Sequence, residues 1–148
     1  MTENSVTLTE TERASLRLIA GMMIPATAGL PGADDDVIFA DIADSLGRDA
    51  DQVRDCLRWL DALSGGRFAS DDANAREAAV TRLRAEGGVR LEVLHRVIPQ
   101  CYHRDDRVMR AFGMEPRPPF PKGFEVEQGD WSLLDPVRAR PKLYRPAR

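Results

Sequence analysis

Two histidines, two cysteines, a triplet of aspartates and several clustered arginines are the residues of this sequence with chemical potential. His95 and His103 lie near the end of one helical segment, at a separation outside the ligand patterns of zinc sites. They are expected to be packed or surface histidines. Cys56 falls on an apolar helical stripe and belongs to a core rather than to a nucleophile. With Cys101 as its sole companion, it is too isolated for a disulfide framework or a zinc module. Asp34-Asp35-Asp36 lacks the glycine and closing glutamate of a calcium loop, and sits where a helix N-terminus favours negative charge. Gly65-Gly66 and Gly87-Gly88 follow no strand, so they are helix stops and not phosphate cradles. No Gly-x-Ser-x-Gly elbow or dinucleotide fingerprint occurs. Nothing pairs a nucleophile with a base. The expectation is therefore a chain that is not itself an enzyme, with no catalytic, cofactor-binding or metal-ligating residue.

Arg48, Arg54, Arg58 and Arg67 flank one helical segment, and Gly47 supplies a turn before it, the outline of a recognition helix. Asp49, Asp51, Asp55 and Asp61 lie among them and would repel phosphate. The whole chain of 148 residues carries 21 basic and 24 acidic side chains, a net charge of −3, which also disfavours nucleic acid. No apolar run nears the ~20 residues that span a bilayer. Met1–Thr9 shows no basic, apolar or twin-arginine export feature, so a cytoplasmic location is expected.

The elements that must position these residues divide at Gly113. Before it, Thr9 and Glu12 have capping-box spacing and open a helix to about Met23, with Leu16, Ile19, Ala20 and Met23 as its stripe. Pro25 stops it, and Gly29, Pro31 and Gly32 form a turn. A second helix follows the aspartates and presents Val37, Ile38, Ile42 and Leu46. Asp49 and Gln52 form a second capping pair before a third helix carrying Val53, Cys56, Leu57, Leu60 and Leu63. That stripe is expected to pack against the first and fifth helices. A fourth helix runs from about Asp71 to Glu86. A fifth runs from Val89 towards Tyr102, kinked or interrupted at Pro99, and a short sixth spans Asp106 to Phe112. The prediction is all-α: a bundle of five to six helices over residues 1–113.

Residues 114–148 hold seven of the ten prolines, which exclude a long helix there. Charge divides at the same place: −5 over residues 1–113 and +2 over residues 114–148. Phe120, Phe124, Trp131, Leu133, Leu134, Val137, Leu143 and Tyr144 make this segment too apolar for a solvated spacer. Extended at ~3.1 Å per residue it would reach on the order of 110 Å, beyond a body with a radius of gyration of roughly 13 Å. An extended, proline-rich, partner-binding tail is expected.

Two stretches carry a family resemblance. Leu18-Ile19-Ala20-Gly21-Met22-Met23-Ile24-Pro25-Ala26-Thr27, followed by Leu30-Pro31-Gly32-Ala33-Asp34, resembles the gluconate 2-dehydrogenase subunit 3 family. Tyr102-His103-Arg104-Asp105-Asp106-Arg107-Val108, with Phe112-Gly113, is similar to that family's second landmark. The proline-rich close with Trp131 and Asp135-Pro136-Val137-Arg138 fits the same type. The resemblance implies a non-catalytic small subunit bound to a large FAD-dependent dehydrogenase of the glucose–methanol–choline type. The large subunit would hold the FAD and oxidise an alcohol or sugar hydroxyl, while the small subunit supports its folding and stability, as a chaperone would.

The residues expected to meet that partner are Tyr102, Arg104 and Arg107 at the end of the helical body, and Phe120, Phe124, Trp131, Leu134 and Tyr144 along the tail. Aromatic anchors dominate interface energetics, and the planar guanidinium suits interface carboxylates. The alternative for Tyr102, Arg104 and Arg107 is that they cap and pack the last two helices. The alternative for the whole chain is a free-standing helical protein-interaction adaptor.

Overall fold

A computed structural model describes residues 8–116 and 127–142, and the chain divides into two units, Met1–Pro116 and Arg117–Arg148. The described residues are mostly helical and contain no strand; one isolated bridge joins Thr27 and Leu30. The first unit contains α1 (Glu10–Met23), α2 (Asp36–Asp44), a 3-10 turn (Gly47–Asp49), α3 (Ala50–Leu63), α4 (Ala73–Glu86), α5 (Val89–Tyr102) and α6 (Asp106–Ala111). No helix among the described residues is long and apolar enough to cross a membrane.

Local sequence sets most helix starts. Thr9 accepts from the Glu12 amide while the Glu12 carboxylate accepts from the Thr9 amide, closing a capping box at α1. Asp35, Asp72 and Asp105 cap α2, α4 and α6 through their side chains. The expected cap pair at Asp49 and Gln52 does not form. Asp49 makes no side-chain cap bond, because Arg96 from α5 takes its carboxylate at 2.7 Å. A charged donor from another helix outcompetes the neutral amide.

The core lies between α3 and α5, with α1 and α4 packed on α3 and α2 packed on α5 and α1. Leu16, Ile19, Ile38, Ile42, Val53, Cys56, Leu57, Leu60, Leu83, Leu94 and Ile98 are almost fully buried. The α3 stripe thus faces the core as its spacing predicts, except that Leu63 is only partly buried at the last position of the helix. Two expectations for α2 fail. Val37 is 65% exposed, and Leu46 is buried from beyond the helix end rather than from within it. In so short a helix the stripe narrows to Ile38, Phe39 and Ile42. Phe68, absent from the sequence-level core, belongs to the α3–α4 loop and is fully buried, with its amide donating to Asp61 at 3.0 Å.

Pro99 neither ends nor divides α5, which continues to Tyr102. The backbone bond that proline removes falls at the His95 carbonyl, on an exposed residue, where its loss is least costly. His103 then ends the helix: its amide and its Nδ1–H both donate to the Pro99 carbonyl, at 3.0 and 2.7 Å.

Leu60 lies at the centre of this packing. Leu60→Ala is expected to cost about 2–5 kcal/mol as a cavity substitution, measured by urea denaturation of the full chain. An unchanged midpoint would mean that the α3 stripe does not form the core.

Candidate partner-binding site

The segment between α1 and α2 folds onto itself before it meets anything else. Thr27 and Leu30 exchange backbone hydrogen bonds at 3.1 and 3.2 Å, and Gly29 completes this tight turn at φ +90°, where glycine alone is unstrained. The Ala33 amide donates to the Ile24 carbonyl at 2.9 Å and closes the loop at its base. Gly32 permits that closure: a Cβ there would stand 2.9 Å from the Ala26 amide nitrogen and collide with the Asp34 carboxylate. The Asp34 side chain also lies against Gly21 of α1, where a Cβ would approach its carboxyl carbon to 2.8 Å.

The turn between α5 and α6 meets this loop from the far end of the body's sequence. Tyr102 is buried, and its hydroxyl donates to the Pro31 carbonyl at 3.2 Å. Arg107 donates from both terminal nitrogens to the two Asp35 oxygens, at 2.7 and 3.2 Å. The same guanidinium donates to both Asp105 oxygens, at 3.0 Å from Nε and 2.9 Å from Nη2. Asp35 and Asp105 are the N-cap residues of α2 and α6, so one arginine clamps two helix starts. Hydrogen bonds from Arg107 hold both carboxyls below the usual aspartate range and raise the arginine's own value.

Arg104 ties the same turn to the other end of α2. Its Nη2 donates to Asp41 and to the Ser45 hydroxyl, both at 2.7 Å, and lies 3.4 Å from the Cys101 sulfur. Burial raises the Cys101 thiol above its ordinary value and pushes Cys56 up to about 11, so neither is a thiolate at neutral pH. His103 packs between Tyr102, edge-on at 5.4 Å, and Phe112 at 6.0 Å; Phe112 itself is exposed.

Tyr102, Arg104 and Arg107 are thus brought together, each already engaged with the α1–α2 segment or with α2. Their partners Pro31, Asp35, Asp41 and Asp105 were not singled out as site residues by sequence reasoning. The available signal was the Asp105-x-Arg107 spacing beside an N-cap, together with an aspartate triplet that has more carboxylates than one helix start requires. Among the described residues no group of histidines, cysteines and carboxylates could hold a metal ion.

The second unit carries a 3-10 turn (Trp131–Leu134) continuing into α7 (Asp135–Arg138), so these residues are helical turns rather than extended chain. Asp130 caps the turn by accepting from the Ser132 amide and hydroxyl, and Pro136 stands in the first turn of α7, where proline is tolerated. Trp131, Leu134 and Val137 recur at every third residue and are 60%, 40% and 56% exposed. Phe120, Phe124 and Tyr144 lie outside the described residues.

The two aspartates give the clamp a definite pH signature. Their lowered values mean that the stability they add is complete above the usual carboxylate range and is lost as pH falls below it. Arg107 is half exposed, so Arg107→Ala is expected to cost about 1 kcal/mol at neutral pH, and the difference from wild type should shrink in acid. Urea melts at a series of pH values measure this; a difference independent of pH would assign the contribution of Arg107 to packing instead. Comparison of the chain with protein-family models, with curated proteins and with solved structures finds no match in any of the three.

Proposed function

We propose that this chain is the non-catalytic small subunit of a large FAD-dependent alcohol or sugar dehydrogenase of the glucose–methanol–choline type, which it binds and stabilises. The observation that carries the reading is the junction of the two stretches that gave the resemblance. They lie at opposite ends of the helical body's sequence, yet Tyr102 reaches Pro31 and Arg107 reaches Asp35. A motif pair of this kind is expected to build one surface, and a surface of exposed loop residues set on fixed helix ends suits recognition. In this reading the FAD and the reacting hydroxyl belong to the partner, and the small subunit contributes no group to the chemistry.

The second support is the uncovered apolar side of the second unit. Trp131, Leu133, Leu134 and Val137 are all exposed. Aromatic and aliphatic side chains in water gain free energy when a partner covers them, and tryptophan is enriched among the residues that dominate interfaces. Phe120, Phe124 and Tyr144 are proposed as further anchors of the same interaction. The free, buried thiols of Cys56 and Cys101 suit a reducing compartment, so the proposed complex is cytoplasmic.

The direct test is purification of a tagged chain from its native host. Co-elution of a yellow protein with a flavin spectrum is expected; a chain that elutes alone would favour a free-standing adaptor. Within the complex, the triple variant Tyr102→Ala, Arg104→Ala, Arg107→Ala is expected to weaken assembly while leaving the KM of the assembled enzyme almost unchanged. A large KM change with assembly intact would instead place these side chains at the partner's active site.

Removing residues 114–148 separates the two supports. The truncated chain is expected to keep its helical circular dichroism, because its core is built within the first unit. It should no longer hold the large subunit. Co-purification at full yield and stoichiometry would place the whole interface on the helical body.

A further inference from the structure

Beside the hollow that Asp41 lines, and sharing Cys101 and Arg104 with it, the structure holds a second depression of about 310 Å³. It lies between the end of α2, the 3-10 turn and α5, and its walls include Ser45, Arg48, Asp49, Arg96, Gln100 and Arg104. Arg96, Gln100 and Arg104 recur every fourth residue, so they form one row along α5 and its end. Three arginines face one aspartate there, in a chain whose net charge is −3. Even with Asp41 counted from the adjoining hollow, an excess of one positive charge remains.

The guanidiniums are held in place without being used up. Arg96 donates to Asp49 through Nη1 alone, at 2.7 Å. Arg104 is fixed through Nη2 alone, by Asp41, Ser45 and the Cys101 sulfur. Each keeps Nε and its other terminal nitrogen without a partner among the described residues. Arg48 makes no ion pair there and acts only through its charge, which helps to lower Asp49. Arg96 and Arg104 are thus seated donors around a space with room for several water molecules, at ~30 Å³ of liquid volume each, and Arg48 adds its charge to the wall.

We infer that this depression binds a phosphate-class oxyanion on Arg48, Arg96 and Arg104, either as inorganic phosphate or as the phosphoryl group of a small metabolite. Guanidinium edges match phosphate oxygens in pairs, and the local excess of positive charge favours an anion over a neutral ligand. Asp49 and Asp41 then serve as positioning residues, each aiming one arginine. The proposal does not depend on the identity of any protein partner.

Isothermal titration of the full chain with sodium phosphate, at ionic strength held constant with sodium chloride, tests it. Saturable binding is expected. Arg48→Gln and Arg96→Gln should each weaken it about tenfold, as loss of a charge-assisted bond does. Arg48→Gln breaks no ion pair within the described residues and so leaves folding unaffected; Arg76→Gln, on α4, should bind as wild type does. Parallel titration with glycerol 3-phosphate identifies the source: tighter binding than inorganic phosphate assigns a phosphoryl group, weaker binding assigns the free ion, and both uphold the site. Heats that do not saturate, that sodium chloride alone reproduces, or that persist unchanged in both glutamine variants would overturn it.

Discussion

The arrangement of this molecule's exposed corner depends on one guanidinium. Arg107 meets the carboxylates of Asp35 and Asp105, and each of those carboxylates also accepts amides at the start of its own helix. A helix start leaves backbone donors without partners, and an aspartate cap satisfies some of them. Here the two caps share a cation, so α2 and α6 begin at fixed positions relative to one another. The loop after α1 must therefore end at Asp35 in one place. Its internal closure through Ala33 and Ile24, and the small residues Gly21 and Gly32 around Asp34, are what a segment anchored at both ends needs.

Legibility from sequence follows the range of the interaction that decides each element. The Thr9–Glu12 box involves residues three apart and was legible; so were the α3 stripe and the glycine stops after α3 and α4. Asp49 and Gln52 have the same spacing as Thr9 and Glu12, yet the cap fails because Arg96, 47 residues away, claims the carboxylate. Propensity offers no view of such a competitor. Pro99 misleads for a related reason: its cost depends on what surrounds the orphaned carbonyl, and at an exposed residue that cost is small. Phe68 stands as the one large apolar residue of its loop, with no periodicity to mark it, and its burial is decided by the tertiary core it joins.

Tyr102, Arg104 and Arg107 were legible as a group of neighbours but not in their wiring. Tyr102, Arg104 and Arg107 stand out by type and by resemblance, and they do converge on one corner. What each one holds could not be read from their own neighbourhood, because Pro31, Asp35 and Asp41 lie about sixty to seventy residues earlier in the chain. Asp34, Asp35 and Asp36 are alike to a charge-pattern reading, whereas the fold separates them. Asp35 caps and pairs with Arg107, Asp34 fills the space left by two glycines, and Asp36 pairs with Arg17 of α1.

Because these arginines already serve the fold, a role in recognition would have to be added to a structural one. The two are physically compatible. Arg107 and Arg104 are each about half exposed while bonded, so each presents part of a guanidinium already fixed in direction. A fixed donor loses less conformational freedom on meeting a partner than a free surface arginine does, and the saving is about 0.5–1.5 kcal/mol per side chain. The intramolecular pairs therefore fix the direction of both guanidiniums at this corner. They also predict the character of that contact: a partner meeting Arg104 or Arg107 finds neighbouring aspartates that offset much of the charge. It would be drawn by shape and directed hydrogen bonds more than by long-range attraction, with apolar area supplied by an exposed side chain of the same unit, Phe112.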